Sequence, residues 1–181
     1  MHRNTLLNLL RNYSPVIPEE VEAKKIMIDF IQKNPHCFER WLESGHITAG
    51  GLLLDKSGTH ALLTHHAILN DWYQLGGHCD GDSDVLRSAL REAQEESGIM
   101  EIVPAHEGIF DIDVHFIPAY KETKGHYHYD VRFLFCVTSD AQIIKSSESH
   151  DLRWIPKDVN AVPTKDPSVL RLFTKWVSHQ Y

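Results

Sequence analysis

Three glutamates are spaced so that one side of a helix would carry all of them. Glu92, Glu95 and Glu96 stand at positions i, i+3 and i+4 of a segment whose apolar residues recur with a helical period. Such a triplet could be a solvated helix face on which Arg91 pairs with Glu95. It could also bind a hard divalent cation, because Mg²⁺ and Mn²⁺ prefer oxygen ligands and keep water molecules that a phosphate can replace.

The residues before this helix favour the metal interpretation. Gly76 and Gly77 allow a close approach of the backbone, so the Gly76 carbonyl could join the same cation. Asp82 or Ser83 could cap the start of the helix, and Gly98 suits the left-handed residue that ends one. The sequence therefore predicts a glycine turn, an acidic loop and a carboxylate-bearing helix in immediate succession.

The stretch from Gly77 to Ile99 resembles the signature of the Nudix hydrolases, G-x5-E-x7-R-E-U-x-E-E-x-G-U, where U is apolar. Every fixed position is met except the first glutamate, which is Ser83 here, and neighbouring Asp82 or Asp84 could supply a carboxylate instead. The matching fixed residues are Gly77, Arg91, Glu92, Glu95, Glu96 and Gly98. The motif covers 23 of the 181 residues, and the flanking segments support it more loosely.

The resemblance implies a metal-dependent enzyme that cleaves a pyrophosphate bond in a nucleoside diphosphate linked to another group. It implies that Mg²⁺ or Mn²⁺ is bound by three glutamates and one carbonyl, those of Glu92, Glu95, Glu96 and Gly76. It further implies that Arg91 orients a glutamate. The expected catalytic residues are Arg91, Glu95, Glu96 and Glu148.

Glu148 is the expected general base, because family members often carry a glutamate in a loop before a strand that contains an aromatic residue. The stretch from Ser147 to Trp154 has this character. A solvated acid without a role is the alternative. Glu122, Asp130 and His150 compete for the function, the last because the ordinary pKa of histidine is near 6.5.

The substrate is less well defined by the sequence. A nucleotide sugar, ADP-ribose, a dinucleotide or a nucleoside triphosphate would each suit the chemistry. Gly77 and His78 could meet a phosphate, and Arg132 could hold a substrate or pack in the sheet. Thirteen histidines also raise the possibility of zinc, for which the candidates are His65, His66, His78, His126 and His128.

The pattern of elements predicts an α/β fold, a Nudix-type α/β/α sandwich with a mixed sheet and an N-terminal helical extension. We expect the extension to cover residues 1–45 and the hydrolase domain to cover residues 46–181. The extension could cap the domain, shape the substrate pocket or form a homodimer. The strongest predicted strand is Tyr129 to Thr138, and a polar loop is expected from Lys121 to His126.

Composition narrows the class of protein. A net charge of −7 argues against polymeric nucleic acid as a partner, and no apolar run is long enough for a membrane span. Three cysteines without CxxC spacing suggest a reducing compartment, the cytoplasm. Two other functions stay open: a nucleotide-binding module that has lost activity, motivated by Ser83, and a metal-stapled interaction protein, motivated by the histidines.

Overall fold

A single mixed sheet of eight strands organises the protein. The computed structural model describes residues 2–106, 108–140, 142–147 and 149–178. The strands are β1 (Gly45–Leu54), β2 (His60–His66), β3 (Trp72–Tyr73), β4 (Leu75–His78), β5 (Ile102–Pro104), β6 (Asp111–Ile117), β7 (His126–Val137) and β8 (Ser149–Pro156). The α-helices are α1 (Asn4–Asn12), α2 (Pro18–Lys33), α3 (Val85–Ser97) and α4 (Pro167–Ser178), and a 3₁₀ helix covers Val159–Ala161.

Strand β1 lies at the centre of the sheet and sets its register. It runs parallel to β7 along its whole length and antiparallel to β4, where Thr48 stands opposite His78. It also pairs with β2, which in turn pairs with β3 and β8, and β5 and β6 flank β7. All these other pairs are antiparallel. The sheet is therefore mixed, as predicted.

Alternate residues of β1 and β7 face two different hydrophobic cores. Odd-numbered residues such as Ile47 and Phe133 pack with α1, α2 and α3. Even-numbered residues such as Leu52 and Leu134 pack with Phe173 of α4. Successive side chains of a strand point to opposite faces, so this division places helices on both sides of the sheet. The predicted α/β/α sandwich is confirmed.

The N-terminal helices share the first of these cores. Leu6 of α1 and Met27 of α2 are fully buried, and Phe30 stacks on Tyr129 of β7 with ring centroids 3.9 Å apart. Buried Glu20 of α2 accepts hydrogen bonds from Tyr13 and from Lys175 of α4. The helical extension is thus packed against the sheet and joined to the C-terminal helix.

The main difference from the predicted elements concerns the start of β7. It begins at His126, three residues before the predicted start, because His126 pairs with Ile117 of β6 and residues 127 and 128 pair with both β1 and β6. This pairing takes His126 out of the predicted loop. All three cysteines are unpaired. Among the described residues, no helix is long and apolar enough to cross a membrane.

Candidate active site

Helix α3 begins and ends with side-chain and backbone caps. The side chain of Asp84 accepts a hydrogen bond from the Arg87 backbone N–H at 3.0 Å. The N-cap is therefore Asp84, not Asp82 or Ser83 as predicted. Asp82 instead pairs with the Arg87 guanidinium, with Nη2 and Oδ1 2.6 Å apart. At the other end, Gly98 adopts a φ of 71°, so the predicted left-handed cap is confirmed.

Arg91 connects the carboxylates of α3 to the glycine-bearing strand β4. Its Nη2 donates to the His78 carbonyl at 2.9 Å and lies 2.8 Å from Glu92 Oε1. Its Nη1 donates to Glu95 Oε2 at 3.0 Å. Partial burial lowers the pKa of Arg91, but the charges of Glu92 and Glu95 outweigh burial and raise the pKa. One guanidinium therefore fixes two of the three glutamates relative to β4.

Gly77 provides the space that the Glu92 carboxylate occupies. A Cβ atom at residue 77 would lie 2.6 Å from Glu92 Oε2, a separation that Cβ atoms do not tolerate. Gly76 stands opposite Gly50 on β1, and a Cβ at residue 76 would meet the Gly50 Cα at 2.7 Å. Gly77 therefore allows the Glu92 carboxylate to pack directly against β4, and Gly76 allows β4 to approach β1 closely.

The three glutamates of α3 differ strongly in exposure. The side chain of Glu95 is 60% exposed and that of Glu92 is 13% exposed, while Glu96 as a residue is 6% exposed. The carboxylates thus extend from solvent towards the interior along one side of the helix. This donor set, all oxygen and mostly anionic, fits a hard divalent cation such as Mg²⁺ or Mn²⁺.

The position of the missing motif glutamate lies at the start of α3. Ser83 is partly buried there. Asp82 accepts hydrogen bonds from Arg87 and from the Asp84 backbone N–H. The hydrogen bond from Arg87 is the main reason that the pKa of Asp82 is lowered. Both aspartates that could replace the absent glutamate are thus engaged: Asp84 caps the helix, and Asp82 binds the Arg87 guanidinium.

The expected general base, Glu148, lies outside the described residues. The segment just before it passes the end of α3, where the Ile144 N–H donates to the Ser97 carbonyl at 2.7 Å. Of the competing candidates, Glu122 is exposed in the turn between β6 and β7, and His150 is exposed on β8. Asp130 is held on β7 by a hydrogen bond from Thr48.

Arg132 is buried among carboxylates. Its Nη2 lies 2.6 Å from Asp130 Oδ2 and its Nη1 lies 3.2 Å from Asp111 Oδ1. Asp111 also pairs with Arg171, at 2.9 Å, and with Lys175 of α4. Because the Arg132 side chain is only 3% exposed, the structure places this predicted substrate-binding residue in an internal ion network.

The histidines named as zinc candidates divide into two groups. His78, His126 and His128 come together on one face of the sheet, and His126 Nε2 lies 3.1 Å from His128 Nε2. His65 stacks on Trp72, and His66 accepts hydrogen bonds from backbone N–H groups of its own turn. The sequence prediction missed His46 and His115, which join the first group through the strand register.

The site consists of a carboxylate-bearing helix packed against a glycine-bearing strand, in a mixed sheet between helices. Comparison with known proteins identifies the family that has this fold. The model of the NUDIX domain family matches residues 45–177. The chain belongs to this family. No curated protein matches the sequence.

Solved structures with the same fold share little sequence with this chain. An Ap4A hydrolase from C. elegans is 21% identical, with a TM-score of 0.55 over 73% of this chain and 97% of the other. The E. coli dihydroneopterin triphosphate pyrophosphohydrolase is 15% identical, with a TM-score of 0.58 over 72% and 94%. A MutT protein from Methanosarcina mazei is 18% identical, with a TM-score of 0.56 over 75% and 94%. At these identities the likeness establishes the fold alone.

Proposed function

We propose that the protein is a pyrophosphohydrolase that uses Mg²⁺ or Mn²⁺ to cleave a nucleoside diphosphate linked to another group. The observation that carries this proposal is the set of contacts made by Arg91. One guanidinium holds Glu92, Glu95 and the His78 carbonyl, and so sets the carboxylates of α3 beside the glycines of β4.

The residues that would hold the cation are Glu92, Glu95, Glu96 and the carbonyl of Gly76. When bound, the cation would polarise the phosphoryl oxygens and lower the pKa of a water molecule. Arg91 acts as a positioning residue, because it contacts two of these carboxylates. A metal ligand normally needs such outer partners, whose loss typically costs 10–100-fold in affinity or activity.

In the proposed reaction, water is added across one phosphoric anhydride. The water oxygen forms a bond to one phosphorus atom, and the bridging oxygen leaves with the other phosphoryl group. Glu148 is proposed to accept a proton from the attacking water, and the family motif and its position before β8 support this assignment. Gly77 is proposed to meet the substrate phosphates from β4. The imidazole of His78, by contrast, faces His46 and His128, and Arg132 is assigned to hold Asp130 and Asp111.

The nature of the substrate follows from the same chemistry. It is a small molecule with at least two linked phosphates, and not a polymer, because the net charge of −7 disfavours a polyanion. Two of the structural neighbours, an Ap4A hydrolase and a dihydroneopterin triphosphate pyrophosphohydrolase, support this class.

A panel of phosphoric anhydrides tests the proposal directly. Nucleoside triphosphates, dinucleoside polyphosphates, NDP-sugars, ADP-ribose, NADH and CoA are each incubated with Mg²⁺ or Mn²⁺, and the products are separated by chromatography. We expect hydrolysis of at least one compound, its loss in EDTA, and a fall of kcat by at least about tenfold in Glu95→Gln with little change in folding. An equal rate in Glu95→Gln at saturating Mg²⁺ would exclude these ligands. No hydrolysis of any compound would favour a binding module without activity.

A further inference from the structure

A second cluster of metal-binding side chains lies on the opposite face of the sheet from the α3 carboxylates. His46 on β1 stands directly opposite His128 on β7, and His78 on β4 lies beside them. The ring centroids are 4.9 Å apart for His46 and His128, 5.0 Å for His46 and His78, and 5.4 Å for His78 and His128. Three adjacent strands therefore each present one imidazole to a common point.

The ring nitrogens of this cluster are close enough to share an ion. One nitrogen from each of His46, His78 and His128 lies within 4.8 Å of the others. Tetrahedral coordination at the usual zinc–nitrogen distance separates such nitrogens by about 3.4 Å. Because the sheet fixes the backbone positions, the nitrogens would reach this separation by rotation of the rings about their side-chain bonds.

His46 provides independent evidence that a ligand belongs here. The residue is 2% exposed, and neither of its ring nitrogens has a hydrogen-bond partner within the described part of the chain. Buried polar groups in proteins are nearly always satisfied, and each exception requires an explanation. A bound cation would satisfy one nitrogen of His46 where the neighbouring side chains do not.

The surroundings of the cluster suit a cation held by neutral imidazoles. Burial, together with neighbouring His78 and His126, lowers the pKa of His46 to about 4, so the ring is neutral at pH 7. Farther along the same face, His115 lies beside Asp113 and Asp130, with its Nδ1 3.5 and 3.8 Å from their carboxylate oxygens. His115 in turn contacts His128, with ring centroids 5.6 Å apart.

We propose that His46, His78 and His128 bind a divalent transition metal of the zinc class, at a site separate from the Mg²⁺ or Mn²⁺ ligands of α3. Imidazole nitrogens select zinc, cobalt, nickel or copper over magnesium. Three histidines leave a fourth position for water or a substrate oxygen. His126, which lies 3.1 Å from His128, could also fill that position.

Cobalt(II) is a suitable probe because its visible spectrum reports its ligands, and no substrate is needed. The metal-free protein is titrated with Co²⁺ in excess Mg²⁺, so that the α3 carboxylates do not compete. We expect one equivalent to bind with the absorption of a tetrahedral nitrogen-ligated site, and Zn²⁺ to displace it. His46→Asn and His128→Asn should each weaken binding by at least about a hundredfold, since loss of a ligand exceeds the 10–100-fold cost of losing an outer partner.

His36→Asn is the matched control, because His36 is exposed and lies outside the cluster. Circular dichroism and melting temperature establish whether each variant folds. His128 is only partly buried, so its variant remains informative if His46→Asn does not fold. Equal Co²⁺ binding by His128→Asn and His36→Asn, or no stoichiometric binding by the original protein, would overturn the proposal. Because hydrolysis is not measured, neither result bears on the proposed function.

Discussion

Replacing Gly77 by alanine tests whether the Glu92 carboxylate must sit against β4. The new Cβ would lie 2.6 Å from Glu92 Oε2 and 2.9 Å from Oε1. Ordinary contacts begin near 3.4 Å, so the carboxylate would have to move by roughly 0.8 Å. Gly77 does not have a left-handed φ, so the backbone itself accepts alanine. The substitution therefore displaces a proposed metal ligand while placing little strain on the strand.

The size of the effect follows from the tolerance of catalytic sites. Metal–ligand distances are held within about 0.2 Å, and a misplacement of about 1 Å can cost on the order of a hundredfold in rate. We expect kcat/KM to fall by roughly 30–100-fold, equivalent to about 2–3 kcal/mol in the barrier. The melting temperature should fall by less than about 4 °C, the shift expected for a loss of 1 kcal/mol in a chain of this size.

Steady-state kinetics at several Mg²⁺ concentrations separates this explanation from others. If Glu92 is displaced, the Mg²⁺ concentration for half-maximal rate should rise more than KM for the substrate. A rise in substrate KM alone would show that the alanine disturbs only the proposed contact of Gly77 with the substrate phosphates, and not the position of Glu92. A kcat/KM within threefold of the original, in a folded variant, would refute the view that this contact positions Glu92.

Four further substitutions, one of them a control, test other parts of the protein. Ser83→Glu restores the motif residue. It should change kcat by less than about tenfold if nearby aspartates already supply the negative charge. A gain of several hundredfold would show that the protein with Ser83 is a weakened enzyme. Glu148→Gln should lower kcat strongly and alter the acid limb of the pH–rate profile, with KM and melting temperature nearly unchanged; a kcat within about threefold would place the base elsewhere. Lys175→Met should cost about 3–5 kcal/mol in urea unfolding because it leaves Glu20 buried without its cation. Lys124→Met should cost at most about 1 kcal/mol, because Lys124 and Glu43 form an exposed ion pair. Equal costs for the two lysine variants would refute the role of burial.

The helix and its C-terminal end were predictable because their signals are local. The spacing of Glu92, Glu95 and Glu96 and the glycine at position 98 are all contained within seven residues of sequence. The N-cap was missed by a short distance because Asp82, Ser83 and Asp84 can all accept a backbone hydrogen bond. Only the three-dimensional arrangement shows that Arg87 engages the side chain of Asp82, while Asp84 caps the helix.

The histidine cluster was not predictable because it depends on register between strands. His46 and His128 are far apart in sequence and meet only because β1 and β7 pair in parallel with these residues opposite each other. Histidine contributes little to the alternation of apolar residues by which strands are recognised, so the start of β7 was placed at Tyr129. A prediction of strand pairing that aligned the apolar parts of β1 and β7 would have placed His46 opposite His128.

The predicted role of Arg132 illustrates the same limit. A basic residue within an apolar strand suggests a substrate contact as readily as an internal ion pair. Which of the two roles applies depends on Asp111 and Asp130. Asp111 stands opposite Arg132 on β6, and Asp130 lies two residues before it on β7. Burial of a guanidinium requires such partners, and with them present the Arg132 side chain lies within the sheet face with only 3% of it exposed.

Strand β4 explains how the two proposed cation sites, which differ in chemistry, can lie on opposite faces of one strand. Successive residues of a strand face opposite sides, so Gly77 meets the Glu92 carboxylate while the His78 imidazole joins His46 on the other face. The peptide of His78 is also held by Arg91 through its carbonyl. Substitution of His46 therefore perturbs the histidine face alone, whereas a change that moves the backbone at His78 would disturb the Arg91 contacts as well. Substitutions of side chains outside β4 can therefore separate hydrolysis, proposed for the α3 face, from metal binding, proposed for the histidine face.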